Sequence, residues 1–221
     1  MTDQLNRPDE MSFSEVFSDA LRGHPCQVLG LDAEPSVLPV EDWTRPAEGH
    51  DHALLDLCRG ATLDIGCGPG RMTAALVQRG LPALGIDVVP EAVSQTVERG
   101  ATAMRRDVFD RLPREGRWST VLLADGNVGI GGDPVQLLRR VRELMTARGR
   151  AVVEVAPPGV PATVSWAALE CRGVRSRPFR WAVLGVDDVD RVAREAGLRV
   201  AGTTQHGSRW VSLLVPRGGV G

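Results

Sequence analysis

Leu63-Asp64-Ile65-Gly66-Cys67-Gly68-Pro69-Gly70-Arg71 is the stretch whose reading decides the fold. A short apolar run ends beside an acid, three glycines follow at alternate positions, and a helical pattern starts at once. Met72, Ala75 and Leu76 stand at i, i+3 and i+4, and Gly80 supplies the stop. The spacing predicts a strand over residues 61–65, a tight turn, and a helix over about 70–78. Glycines permit such a turn and let a ligand lie directly on the backbone. Many turns contain two or three glycines, so the loop gains meaning only from its surroundings.

Three neighbours favour S-adenosylmethionine over NAD or FAD. The dinucleotide pattern needs a small residue where Arg71 stands. Asp64 would put negative charge near a pyrophosphate, whereas it suits the cationic methionine end of adenosylmethionine, directly or by orienting loop amides. Pro69 removes a backbone N–H that a phosphate at a helix start would use.

Working outward, strand-like and helix-like segments alternate from Leu54, the pattern of βαβ units around a parallel sheet. Residues 82–86 read as the second strand, Pro90 opens a helix that Gly100 closes, and 102–105 read as a third strand. The apolar run 120–124 fits a strand buried on both faces. Asp133 and Pro134 cap a helix with Val135, Leu138, Val141 and Met145 on one face, ended by Gly149 before a fifth strand at 151–155. A helix at 187–196 and strands at 199–204 and 208–215 close the chain as a hairpin. Residues 1 to about 50 read as irregular, with one helical candidate near 12–21. Residues 156–185 break the pattern with Pro157, Pro158, Pro161 and Pro178.

Asp87 ends the second strand, where an acid accepts hydrogen bonds from both ribose hydroxyls of an adenosine; the alternative is a plain helix cap. Asp107, with Val108 beside it, stands where an adenine amino group and ring would be met, or it is a solvated loop acid. After the fourth strand, Asp125-Gly126-Asn127-Val128-Gly129-Ile130-Gly131-Gly132-Asp133 lies at the switch point of an open α/β sheet. Asp125 there suits contact with the cofactor's amino group or a base towards an acceptor, and Asn127 suits fixing either ligand. The loop does not match the motif of amino-methylating nucleic-acid enzymes.

The segment from Leu63 to Arg71, with Asp87, Asp107 and the fourth-strand loop in order, resembles the class I (Rossmann-like) S-adenosylmethionine-dependent methyltransferases over roughly residues 54–155. The resemblance implies an α/β fold: a Rossmann-like doubly wound sheet of about seven strands, mostly parallel, with a C-terminal antiparallel hairpin. It implies that Asp64, Gly66, Gly68 and Gly70 line the methionine moiety, Asp87 the ribose and Asp107 the adenine. Cys67, Arg71, Val88, Val108, Asp125, Gly126 and Asn127 complete the expected cofactor-binding set. It does not settle the acceptor.

The expected activity is methyl transfer to a small molecule, in secondary metabolism, on oxygen, nitrogen or carbon. A non-catalytic adenosylmethionine-binding protein is the alternative, and a nicotinamide-dependent oxidoreductase fits less well. In-line positioning supplies most of the help such a reaction requires. Base candidates are Asp125, His24, His50 and His52, with Asp125 and His50 foremost. Residues 1–53 are expected to form a lid with Trp43, Arg45 and His50 near ligand, and 54–221 the methyltransferase domain. The insertion 156–185, with Arg172, Arg175, Arg177 and Arg180 beside Phe179 and Trp181, is expected to shape the acceptor pocket.

Composition narrows the field. The chain has 221 residues, enough for one full domain and short for two. It contains no lysine, which excludes Schiff-base and Walker-lysine chemistry. A net charge of −2 gives no footprint for nucleic acid. No apolar run is long enough for a membrane span, and the polar start Met1 to Glu10 is unlike a signal peptide, so a cytoplasmic protein is expected. Cys26, Cys58, Cys67 and Cys171 are scattered, which argues against structural zinc and a disulfide framework. Oligomeric state stays open.

Overall fold

The structure is a computed structural model that describes residues 10–218. Residues 1–9, most of the polar start discussed above, lie outside the described residues. In chain order the strands are β1 (Glu10–Met11), β2 (Cys26–Leu29), β3 (Ser36–Val37), β4 (Thr62–Ile65), β5 (Ala83–Asp87), β6 (Thr102–Arg105), β7 (Trp118–Leu123), β8 (Met145–Val155), β9 (Thr163–Cys171), β10 (Val174–Ser176), β11 (Phe179–Val183), β12 (Leu198–His206) and β13 (Arg209–Pro216). The helices are α1 (Phe13–Leu21), α2 (Val40–Thr44), α3 (His50–Asp56), α4 (Arg71–Gln78), α5 (Pro90–Glu98), α6 (Pro134–Leu144) and α7 (Val186–Glu195). None of the described helices is long and apolar enough to cross a membrane.

The main sheet has the order β12-β13-β8-β7-β4-β5-β6. Strands β6, β5, β4, β7 and β8 are parallel, and β12–β13 is an antiparallel hairpin on β8, as the α/β reading predicts. The two-residue period of a strand sends Val121 and Leu123 to one face and Leu122 to the other. The first face packs under α6 and α7, through Leu137, Leu138, Val141, Val189 and Val192. The second packs under α3 and α4, through Leu54, Leu55, Met72 and Leu76. Burial on both faces is why these strands read as continuous apolar runs.

Parallel strands end on one edge, so Ile65, Asp87 and Leu123 emerge together. Trp210, at the start of β13, pairs with Val155 at the end of β8, which brings the neighbouring Arg209 to the same edge.

Three expectations are corrected. Residues 10–49 hold more than the one expected helix, α1: they also form α2 and three short strands. Residues 156–185 do not simply break the pattern. They leave and re-enter the sheet at one point, where Ala156 bridges Gly185, and between these form β9, β10 and β11. These strands pair with β1, β2 and β3 into a second sheet, order β1-β10-β9-β2-β3 with β11 on β9. Four of these six strands, β1, β2, β3 and β10, have only two to four residues and come from distant segments, which leaves little local periodicity to read. Met145 and the residues up to Gly149 belong to β8 rather than to the preceding helix, which ends at Leu144.

The helix expected near 12–21 is present as α1, and it opens with a capping box in which Ser12 and Glu15 satisfy each other's backbone amides. One face of α1, with Val16 and Ala20, packs on Leu169 of the second sheet, while Leu21 packs on Val89 and Ala92 of α5. Helix α1 therefore joins the two sheets.

The second sheet also carries a disulfide between Cys26 and Cys171, a cross-link that the expectation against a disulfide framework did not foresee. The two are direct cross-strand partners on β2 and β9, with Cα atoms 4.4 Å apart and a sequence separation of 145. That separation hides the pairing from any spacing rule. Such a bridge persists in oxidising surroundings and is rare where thiols are kept reduced. Cys171→Ser is expected to cost about 2–4 kcal/mol, the usual range for a lost native cross-link. For a chain of this size that lowers Tm by roughly 5–15 °C in scanning calorimetry. Equal melting of wild type and variant without reductant would show that the bridge does not form.

Candidate functional site

The loop between β4 and α4 is stapled to β5 by the amides of Gly66 and Cys67, which donate to the Ile86 carbonyl at 2.9 and 3.1 Å. Gly66, Gly68 and Gly70 all have left-handed φ, yet for different reasons. A Cβ on Gly70 would lie 2.5 Å from the Thr96 hydroxyl oxygen and 2.7 Å from Thr96 Cα, so this glycine lets α4 approach α5. A Cβ on Gly66 would lie 2.7 Å from Asn127 Nδ2. Gly68 alone of the three has nothing within 4 Å, and its backbone faces open space. The Cys67 thiol turns inward, 3.7 Å from the Thr96 hydroxyl, so only its backbone lines the loop.

Asp87, at the tip of β5, accepts from the Gly68 amide through Oδ2 at 3.0 Å and from the Val89 amide through Oδ1 at 2.9 Å. Burial raises its pKa against the pull of these amides. Asp64, 2 % exposed, accepts a 2.6 Å hydrogen bond from the Thr73 hydroxyl on α4. Burial pushes its carboxyl up to about 7; the Thr73 bond opposes this and the Asp125 charge adds to it.

Beside this loop stands a network of charges. The guanidinium of Arg71, a residue 4 % exposed, donates through Nη1 to Asp51 Oδ1 and through Nη2 to both Asp125 oxygens, at 2.7 and 2.6 Å. Arg209 likewise reaches both acids, donating to Asp51 Oδ1 and, at 3.0 Å, to Asp125 Oδ1. Two carboxylates and two guanidiniums thus alternate around a ring. Arg45 donates to Asp51 Oδ2 at 2.6 Å. Glu154, at the end of β8, accepts from Arg209 Nε at 2.8 Å and from the Asp125 amide at 2.6 Å. Burial opposes ionisation of Asp51, but the hydrogen bonds from Arg71 and Arg45 hold its carboxyl well below the usual range. Asp125 has φ of 52°, a strained value for a non-glycine residue, in a backbone the ring holds in place.

The structure brings Asp64, Gly66, Gly68, Arg71, Asp87, Asp125, Gly126 and Asn127 to one edge. Gly126 has left-handed φ and no neighbour within 4 Å of a built Cβ, the same openness as Gly68. Asn127 Nδ2 donates to the carbonyls of Ile65 and Gly66, both at 2.9 Å, and so ties the fourth-strand loop to the glycine loop. Val88 is half-exposed beyond Asp87. Asp107 accepts from the Phe109 amide at 2.9 Å, and Val108 is buried in the main core beneath it.

Other candidates stand further off. His50 is exposed at the start of α3 and packs against the turn at Gly207; His52 lies 2.7 Å from the Arg79 guanidinium. His24 lies between α1 and β2. Trp43 packs on Phe17, with ring centroids 5.7 Å apart. Of the basic stretch, Arg180 covers Gly132 and the Trp181 indole covers Gly129, so β11 lies along the fourth-strand loop; Arg175 pairs with Glu170.

Sequence reasoning missed Asp51, Thr73, Glu154 and Arg209. Glu154 carried a signal, being the one charge in the apolar run Ala151–Val155 of a central strand. Asp51 and Arg209 are 158 residues apart, and nothing local announces their meeting.

Residues 63–153 match the family model described as a methyltransferase domain. The fold is the Rossmann-like fold of class I methyltransferases. A search of curated protein sequences finds no match. Among solved structures, the chain resembles a SAM-dependent methyltransferase from Bacteroides fragilis in complex with S-adenosyl-L-homocysteine, with TM-score 0.77 and 18 % identity over 92 % of this chain and 94 % of that one. It also resembles the CcbJ methyltransferase from Streptomyces caelestis, with TM-score 0.60 and 16 % identity over 80 % and 92 % of the two chains. A third is the 1,6-didemethyltoxoflavin-N1-methyltransferase of Burkholderia thailandensis with bound 1,6-didemethyltoxoflavin and S-adenosylhomocysteine. Its TM-score is 0.57, at 17 % identity over 79 % and 80 % of the two chains.

The charged ring is open to a direct test. Arg71→Met leaves Asp51 and Asp125 with fewer cations while keeping most of the side-chain volume. Removal of one partner from a buried pair costs about 3–5 kcal/mol, so urea unfolding should show a loss of that size. A loss below about 1 kcal/mol would place Arg71 among ordinary surface pairs.

Proposed function

We propose that the chain transfers the methyl group of S-adenosylmethionine to a small-molecule acceptor, through an oxygen, nitrogen or carbon nucleophile, and leaves S-adenosylhomocysteine. The observation that carries this reading is the open backbone at Gly68, whose amide sits 3.0 Å from Asp87 Oδ2. The residues present fit the group. Gly68 and Gly126 expose left-handed backbone to open space on either side of the strand edge, and a side chain at either would fill it. Asp87, with its oxygens turned to backbone amides, keeps lone pairs for the ribose hydroxyls. Asp64 and the glycine loop would lie along the methionine moiety, and Asp107 near the adenine.

When bound, the sulfonium supplies a methyl group already activated for displacement. What the protein adds is position. Asn127 fixes the fourth-strand loop to the glycine loop, and Arg71 and Arg209 fix Asp125. Both Asp125 oxygens accept from guanidiniums, so we assign it a positioning role rather than that of a base. Helix α1 and the second sheet would serve as a cap, with Trp181 and Arg180 along the acceptor side.

Calorimetric titration with S-adenosylhomocysteine tests the reading. Binding in the micromolar range is expected. Asp87→Ala should weaken it about 10- to 100-fold, since lost hydrogen bonds to a buried charge are worth roughly 1.5–3 kcal/mol. Gly68→Ala should weaken binding with a modest fall in Tm, whereas Gly70→Ala should mainly lower Tm, through the clash with Thr96. Tight NAD binding without adenosylhomocysteine binding would overturn the proposal.

A further inference from the structure

Asp64 is buried, in contact with the Thr73 hydroxyl, and in no ion pair among the described residues. The groups that face it are Thr73 and Arg71 on α4, Asp87 on β5, Asp125 after β7, Cys67 in the glycine loop and Cys58 ahead of β4. Four of these are carboxylates or thiols that would repel its charge or give it nothing to pair with, and both thiols are buried. Arg71 is the one cation of the set, and its guanidinium is turned away to Asp51 and Asp125. An ionised carboxylate without a counter-ion in a protein interior is costly. The glycine loop begins two residues after it and is open at Gly68, so a ligand seated on that loop would bring its cation close to this acid.

We infer that Asp64 reads the charge on the ligand's sulfur, ionised beneath the sulfonium of S-adenosylmethionine and protonated once the neutral thioether of S-adenosylhomocysteine has replaced it. The inference rests on the cofactor reading above. On binding, the proton leaves Asp64 for solvent, and after methyl transfer a proton returns from solvent to the same oxygen. The site thereby holds substrate cofactor more tightly than product. Burial that lifts the Asp64 carboxyl to about 7 sets the range in which this exchange operates. Below that range the acid stays protonated and the preference fades.

The test is isothermal titration of the full chain with S-adenosylmethionine and with S-adenosylhomocysteine, in two buffers of different ionisation enthalpy, for wild type, Asp64→Asn and Thr73→Val. The ligand's own α-amino group titrates near pH 8, so the readout is the difference between wild type and Asp64→Asn, not the raw profile. From about pH 6 to about pH 8, wild-type affinity for S-adenosylmethionine should rise roughly tenfold beyond any rise in Asp64→Asn, with proton release that Asp64→Asn lacks. For S-adenosylhomocysteine the excess should stay below about threefold. Thr73→Val removes a hydrogen bond to the anion, so its midpoint should move to higher pH than that of wild type. Equal proton release in wild type and Asp64→Asn, or matching profiles for the two ligands, overturns the inference while leaving the cofactor reading in place. If Asp64→Asn does not fold, an unmoved midpoint in Thr73→Val overturns it. Failure of wild type to bind either ligand removes the cofactor reading itself.

Discussion

Asp51 meets three guanidiniums, from Arg45, Arg71 and Arg209, and through the last two it is joined to Asp125. The elements that converge there are the segment before α3, α3 itself, the start of α4, the loop after β7 and the start of β13. Beneath them the sheet is held by ordinary apolar packing, Leu54, Leu76, Leu122 and Val211 among others. At the edge that packing stops, and the ring takes over the task of fixing relative position. Buried ion pairs contribute little net stability, because desolvation offsets most of the attraction. Their geometry is what matters here. Asp125 keeps a left-handed backbone that costs about 1–3 kcal/mol for a non-glycine residue, and its amide and both oxygens are held by Glu154, Arg71 and Arg209.

The same network explains the electrostatic character of the site. Arg45, Arg71 and Arg209 balance Asp51, Asp125 and Glu154, so the six groups are neutral among themselves. Asp64 and Asp87 stand outside this balance, one beneath the glycine loop and one beside it. Asp87 is met by backbone amides, whose partial charges soften but do not cancel its own. The acids that the network leaves unbalanced therefore lie at the loop, not along the rest of the edge. A folded protein gains nothing in stability from that arrangement; sites that bind charged ligands accept such costs.

The legibility of the sequence follows the range of the interactions involved. Strand, glycine turn and helix around Asp64 to Arg71 are specified by neighbours within a few residues, and the same holds for Ser12 with Glu15 and for Asp133 with Pro134. The parallel pairing in the main sheet follows from the alternation of elements, and the right-handed crossover rule narrows how they can be wound. The second sheet was not legible, because β2 and β9 recognise each other across 145 residues and β1 and β3 have two residues each. Within the site, the glycines were legible as a group but not as individuals. Only the packing around them separates Gly70, pressed on Thr96, from Gly68, which faces open space. Arg71 was legible as a residue that excludes a dinucleotide, yet its partners Asp51 and Arg209 lie far from it in the chain.

The joint formed by α1 constrains how the site can open. Its inner face belongs to the second sheet, cross-linked through Cys26 and Cys171, while Leu21 packs on Val89 and Ala92 and the Ser14 hydroxyl donates to the Val88 carbonyl at 3.3 Å. A cap that swung outward on α1 would pull on the residues next to Asp87 and disturb the acid at the heart of the proposed ribose contact. Within the loop after β7, Asn127 is tied to Gly66, Gly129 lies under Trp181 and Gly132 under Arg180. Gly126 alone combines left-handed φ with no neighbour to restrain it. The one unrestrained backbone position of this loop thus stands next to Asp125, whose strained conformation the charged ring holds in place.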